Sequence, residues 1–149
     1  MSLITTIVQV VASFFGTLGF GFLFNIRGKK QIFAALGGMF AWFLFLALRP
    51  AVENEVLRYF IVSICSTIYA EILARIFKTP ATTFSIITLI PLVPGGALYR
   101  TATLFINGDV TLFITNFIYT MELSIALSLG IVIVTSAFKF SKIFIKAKP

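Results

Sequence analysis

Residues 86–100 read IITLIPLVPGGALYR, and they stand inside an apolar stretch long enough to be a membrane helix. Proline has no N–H for the helical ladder, and its ring clashes with the preceding turn. In hydrocarbon no water is present to satisfy the freed carbonyls, so each orphan costs several kcal/mol. Non-helical backbone at membrane depth is tolerated only where it is buried in protein or lines a wet cavity. Pro91 and Pro94 remove two donors, and Gly95 and Gly96 allow backbone angles that other residues avoid. One proline alone fits a plain kink. Pro-x-x-Pro-Gly-Gly at mid-span instead fits a discontinuous helix, whose second half presents free N–H groups and a positive dipole end to a carboxylate. The break from Pro91 to Gly96 is therefore the first candidate binding site.

Composition sets the class. The chain has 149 residues, 59% hydrophobic, 18 of them Phe, and only 11% charged, whereas a soluble domain carries about 25% charged residues. Long apolar runs predict an all-α membrane protein rather than a barrel of short alternating strands. There is no His and one cysteine, Cys65, a small packing residue in an apolar helix. Metal centres built on His or Cys, Cys–His nucleophiles and internal disulfides are thereby excluded within this sequence. No cofactor is called for. Nor does any nucleophile with a base point to an enzyme. The formal charge of +7 is no nucleic-acid signal, because the basic residues gather at the ends of apolar segments.

Five transmembrane helices are predicted, over about 3–24, 32–48, 57–77, 84–106 and 111–138, in a single transmembrane domain. The first has no basic stretch before it, which argues against a cleaved signal peptide. Nine Lys and Arg fall on one side: Arg27, Lys29, Lys30, Arg75, Lys78, Lys139, Lys142, Lys146 and Lys148. Arg49, Arg58 and Arg100 fall on the other. Positive loops stay in the cytoplasm, so the N-terminus is expected outside and the C-terminus inside. A re-entrant loop at 84–106 would place the lysine-rich tail outside and abolish this asymmetry. A spanning, broken fourth helix keeps it. The tail lysines are expected to hold anionic lipid.

Glu122 lies well inside the fifth helix, where a carboxylate is costly unless it faces the bundle interior or a partner. At about 100° per residue it shares a face with Thr115, Tyr119, Ala126 and Gly130. Two roles fit it, a proton carrier or an ion pair with Arg100. Arg100 follows the break and either contacts a substrate carboxylate or snorkels to the headgroups. Glu71 and Arg75 are spaced for a helical salt bridge, while Ser63, Thr67, Ala70 and Glu71 form a polar stripe that suits a pathway. Glu53, Glu55, Asn107 and Asp109 are read as solvated loop residues. Five helices with little mass outside the membrane look incomplete. The small-residue pairs Ala12/Gly16, Ala34/Gly38 and Ser124/Ser128 permit close helix contact, within the chain or with a partner.

The stretch TPATTFSIITLIPLVPGGALYR, with Pro80, Pro91, Pro94-Gly95 and Tyr99, followed by TNF at 115–117 and a small-residue-rich helix, resembles the threonine/serine exporter family. The likeness is to the small membrane subunit of its split, two-component form. It implies export of threonine and serine, or of dicarboxylates such as succinate, across a bacterial inner membrane. It also implies a larger membrane subunit as partner, with a homo-oligomer as the other arrangement left open. Pro91, Pro94, Gly95, Tyr99 and Asn116 are the motif positions; Gly96 and Arg100 stand beside them. The expected reading is a proton-coupled secondary exporter subunit, with substrate at the broken helix and Glu122 or Glu71 carrying protons. The rival is a membrane assembly or channel subunit without coupled transport.

Overall fold

The computed structural model describes residues 3–146, with side-chain surroundings up to Ser141. The described residues are helical, with no strand. In chain order they form α1 (Leu3–Leu23), α2 (Lys29–Ala47), α3 (Glu55–Ile76), α4 (Ala81–Leu89), a 3-10 turn (Ile90–Leu92), α5 (Gly95–Ile106) and α6 (Val110–Lys146). Four helices are long and apolar enough to cross a membrane, or five if α4 and α5, bent by 58° at their junction, count as one span. Lys142, Lys146 and Lys148, expected on lipid, lie outside the residues whose side chains are described.

Several helices run past their apolar runs. The third starts at Glu55 because the Asn54 side chain caps it, accepting from the Leu57 N–H at 3.1 Å. The second starts at Lys29, after Gly28 turns the chain at φ +70°. The last has 37 residues, about 55 Å at about 1.5 Å per residue, against a hydrocarbon core of about 30 Å. Hydropathy marks the hydrocarbon, whereas caps mark the helix.

The helices pack as α1 on α2, α2 on α3, α3 on both α4 and α6, and α5 on α6. Lipid tails are as apolar as leucine, so association relies on close van der Waals fit and interhelical hydrogen bonds. Small residues supply the fit. A methyl on Gly38 would overlap the Thr17 side chain, and one on Gly130 would overlap Ser63 and reach the Phe60 carbonyl at 3.0 Å. Ala34, Ala35 and Ala41 are wholly buried. Of the three small pairs, Ala34/Gly38 is inside the bundle. Ala12, Gly16 and Ser128 are exposed. Val62, Leu89, Leu92, Leu123 and Ala126 form the apolar centre.

Replacing Gly130 with leucine is expected to lower stability by about 1–3 kcal/mol through overpacking. Gly16→Leu, with nothing within 4 Å of an added Cβ, is expected to leave it unchanged. Thermal unfolding of the two purified variants in detergent checks this.

Candidate functional site

The break is built residue by residue. The 3-10 turn ends at Leu92, and Val93 is extended (φ −59°, ψ 125°). Its N–H reaches the Ile90 carbonyl at 3.1 Å, and the Gly95 N–H reaches the Val93 carbonyl at 2.6 Å. The first α5 ladder bond is Leu98 N–H to Pro94 C=O, 3.0 Å, and no side chain caps that helix. The N–H groups of Gly96 and Ala97 therefore precede the ladder, at the positive end of the helix. Neither Gly95 nor Gly96 is among the positive-φ glycines, which are Gly28 and Gly108. An added Cβ on either would meet nothing within 4 Å. The two glycines keep the helix end bare; they do not supply a left-handed turn.

That end opens on a cavity of about 310 Å³, at the small end of the roughly 300–1,000 Å³ typical of small-molecule sites. One wall is the break, with Pro91, Val93 to Ala97 and Arg100; α2 adds Trp42, α3 adds Glu55 and Tyr59, and α6 adds Asn116, Tyr119 and Leu123. The Tyr119 hydroxyl donates to Glu55 Oε2 at 2.6 Å, joining α6 to the start of α3. This short, charge-assisted bond fixes one carboxylate oxygen. Tyr59 is buried, its ring edge-on to Phe45 at 4.9 Å. Trp42 Nε1 is buried without a hydrogen-bond partner. The Asn116 amide donates back to the Leu112 carbonyl at 3.0 Å, a bond that leaves its Oδ1 unused. A buried Thr101–Thr120 hydroxyl pair, 3.1 Å apart, ties α5 to α6 next to the lining residues Arg100 and Tyr119.

The cavity thus brings together Pro91, Pro94, Gly95, Gly96, Arg100 and Asn116 from segments distant in sequence. Tyr99 is outside the lining, with 75% of its surface exposed. Glu122 lines a different, apolar groove of about 410 Å³ between α3 and α6, with Val56, Phe60 and Leu129. No ion pair joins it to Arg100 among the described residues, where the Glu71–Arg75 pair at 4.0 Å is the one found. Glu71 is buried beside a third cavity, at the other end of α3. Sequence reading missed Glu55, which is not a loop residue but the first residue of α3. Its signal was Asn54, a helix cap that puts the next carboxylate in the first turn. Trp42, Tyr59 and Tyr119 were also missed, since nothing local marks aromatic residues that meet only in the fold.

A family model described as Threonine/Serine exporter, ThrE, matches residues 9–137, and the chain belongs to that family. No curated protein and no solved structure shows significant similarity to it.

Two variants separate the structural from the binding elements of this site. Gly96→Ala is expected to keep or raise thermal stability, by up to about 1 kcal/mol of helix propensity. Tyr119→Phe is expected to lower it by about 1–2 kcal/mol through loss of a hydrogen bond to a carboxylate. Unfolding curves of both in one detergent check the signs.

Proposed function

We propose that this chain is one subunit of a secondary exporter that moves threonine, serine or a related small carboxylate metabolite, such as succinate, out of a bacterial cell across the inner membrane. In this reading α4 and α5 form one broken span, giving five. The N-terminus is outside and the C-terminus is cytoplasmic, as the Lys and Arg distribution favours. The observation that carries the reading is the cavity at the break, which an uncapped helix N-terminus lines together with Arg100, Glu55 and Asn116. The substrate carboxylate is held at the Gly96 and Ala97 N–H groups with Arg100. The ammonium group of threonine or serine goes to the free oxygen of Glu55, and its hydroxyl to Asn116.

Export is driven by the proton gradient. A carboxylate that binds either a proton or the substrate ammonium, but not both, makes the two exclusive, and exclusive binding at one site is what antiport requires. Glu55 takes this role; Glu71 and Glu122 do not line the cavity. Glu122, an exposed carboxylate among apolar side chains, is placed at the contact with a larger partner subunit, which supplies it a donor or cation. The rival, an uncoupled channel, rests on no comparable observation.

The test is efflux of labelled threonine, serine and succinate from preloaded cells that lack their own exporters, with and without the larger subunit. Coupled efflux is expected only with both chains and is lost when the proton gradient is collapsed. Gly96→Val is expected to cut export tenfold or more, since losing hydrogen bonds to a charged group costs about 1.5–3 kcal/mol and each 1.4 kcal/mol is about tenfold. Glu55→Gln is expected to abolish the dependence on external pH, whereas Glu122→Gln keeps it and weakens co-purification of the partner. Full, pH-dependent export by Glu55→Gln removes the antiport assignment.

A further inference from the structure

The cavity at the break has a counterpart at the other end of α3. This second cavity, of about 600 Å³, lies between α3, α4 and α6, lined by Glu71, Ser85, Leu89, Thr135 and Lys139 among others. Each of three segments gives one half to each cavity. On α3, Glu55 serves the first and Glu71 the second, about 24 Å apart along the helix. On α6 the division falls between Leu123 and Ile131, and on the broken span between Leu89 and Pro91. Between these two sets of residues lies the buried apolar centre, with Val62, Leu89, Leu92, Leu123 and Ala126. Leu89 and Leu123 each show an edge to one cavity.

The second cavity has chemistry of its own. Glu71 is 8% exposed, and its carboxylate meets Arg75 only at 4.0 Å, longer than a hydrogen bond. The Arg75 guanidinium stacks on the Phe138 ring at 4.2 Å, leaving Glu71 short of a close counter-charge. Lys139 brings a cation to the same cavity from α6. Ser85 is 7% exposed, and its Oγ has no hydrogen-bond partner; a buried hydroxyl in that state is stabilised by any partner that reaches it. The rest of the wall is apolar, with Leu89, Ile131 and Phe138. One carboxylate, one ammonium and an unused hydroxyl around an apolar chamber match a small zwitterion carrying its own hydroxyl. They match a dianion poorly, because Glu71 repels its second charge.

We infer that this cavity is a second binding site for a small zwitterionic hydroxy amino acid, on the opposite side of the apolar centre from the site at the break. The ligand ammonium lies at Glu71, its carboxylate at Lys139 and its hydroxyl at Ser85. This rests on the exporter reading: the second cavity receives the substrate on the side from which it leaves the cell interior. It also favours a hydroxy amino acid over a dicarboxylate as the substrate.

The test is protection from a thiol reagent. Thr135→Cys and, separately, Val93→Cys, which line the two cavities without holding a ligand group in this reading, are made in a Cys65→Ala background of the full chain. Each is labelled in membranes with membrane-permeant N-ethylmaleimide. L-threonine at several times its dissociation constant is expected to slow labelling at position 135 about fivefold by mass action; succinate leaves it unchanged. Glu71→Gln is expected to remove protection at position 135 while leaving it at position 93. Ile131→Cys, on the same wall, replaces Thr135→Cys if the latter does not fold. Unchanged labelling with threonine, equal protection by succinate, or protection that survives Glu71→Gln each overturns the proposal. Protection at 93 without protection at 135 sinks the second site and leaves the first. Protection at neither sinks both.

Discussion

Two prolines three residues apart withdraw their N–H groups from a helix that lies in an apolar span, and the surrounding chain is arranged around that loss. A membrane offers such backbone only two tolerable settings, burial against other helices or contact with a wet cavity. This molecule uses both at once. The 3-10 turn at Ile90–Leu92 packs its buried Leu92 into the apolar centre with Val62 and Leu123, so the α4 side of the break is dry. The α5 side, at the exposed Gly95 and Gly96, opens into the cavity. The 58° bend between the halves directs the uncapped end of α5 toward Glu55 and Asn116 instead of leaving it in line with α4.

Holding such a bend requires rigid neighbours, and the bundle obtains them from small side chains and hydroxyls. Gly38 lets α1 and α2 approach, and Gly130 does the same for α3 and α6. Threonine and serine hydroxyls mostly donate to carbonyls one turn back along their own helices, as Thr17, Thr67 and Ser124 do, so these occupy apolar surroundings with their polar atoms satisfied; the buried hydroxyls of Ser66, Ser85 and Thr88 do not. Where hydroxyls bond across helices the bond is positional. Thr101 to Thr120 closes α5 onto α6, and Tyr119 to Glu55 closes α6 onto α3. The second link lies in the cavity wall itself, where Tyr119 and Glu55 both line it.

The break and much of its wall were legible in the sequence because their causes are local. Proline acts on its own helix, and Arg100 sits at a helical spacing that can be counted from it; Asn116, on the next helix, was reached through the family likeness of TNF at 115–117. Helix existence was legible for the same reason, since apolar runs of spanning length have few alternatives in composition. What escaped depends on contacts between distant segments. Glu55 and Tyr119 are 64 residues apart, and no periodicity links them. Tyr99 and Arg100 are adjacent, yet only Arg100 lines the cavity; the phase of α5 decides which, and that phase is fixed where the helix restarts. The glycine pair was noticed for the wrong property, since its value lies in what is absent from its Cα atoms, not in unusual angles.

The unbroken length of α6 has a mechanical consequence. Its 37 residues contain no proline, and near the midpoint Gly130 is seated directly on Ser63 and the Phe60 carbonyl. Its first third carries Asn116 and Tyr119, and its last third carries Thr135 and Lys139. Were α6 to tilt as a stiff unit about this contact, its two ends would move in opposite senses. The two chambers that it borders would then be geared together, one narrowing as the other widens, with no signal passed between them except the stiffness of a helix.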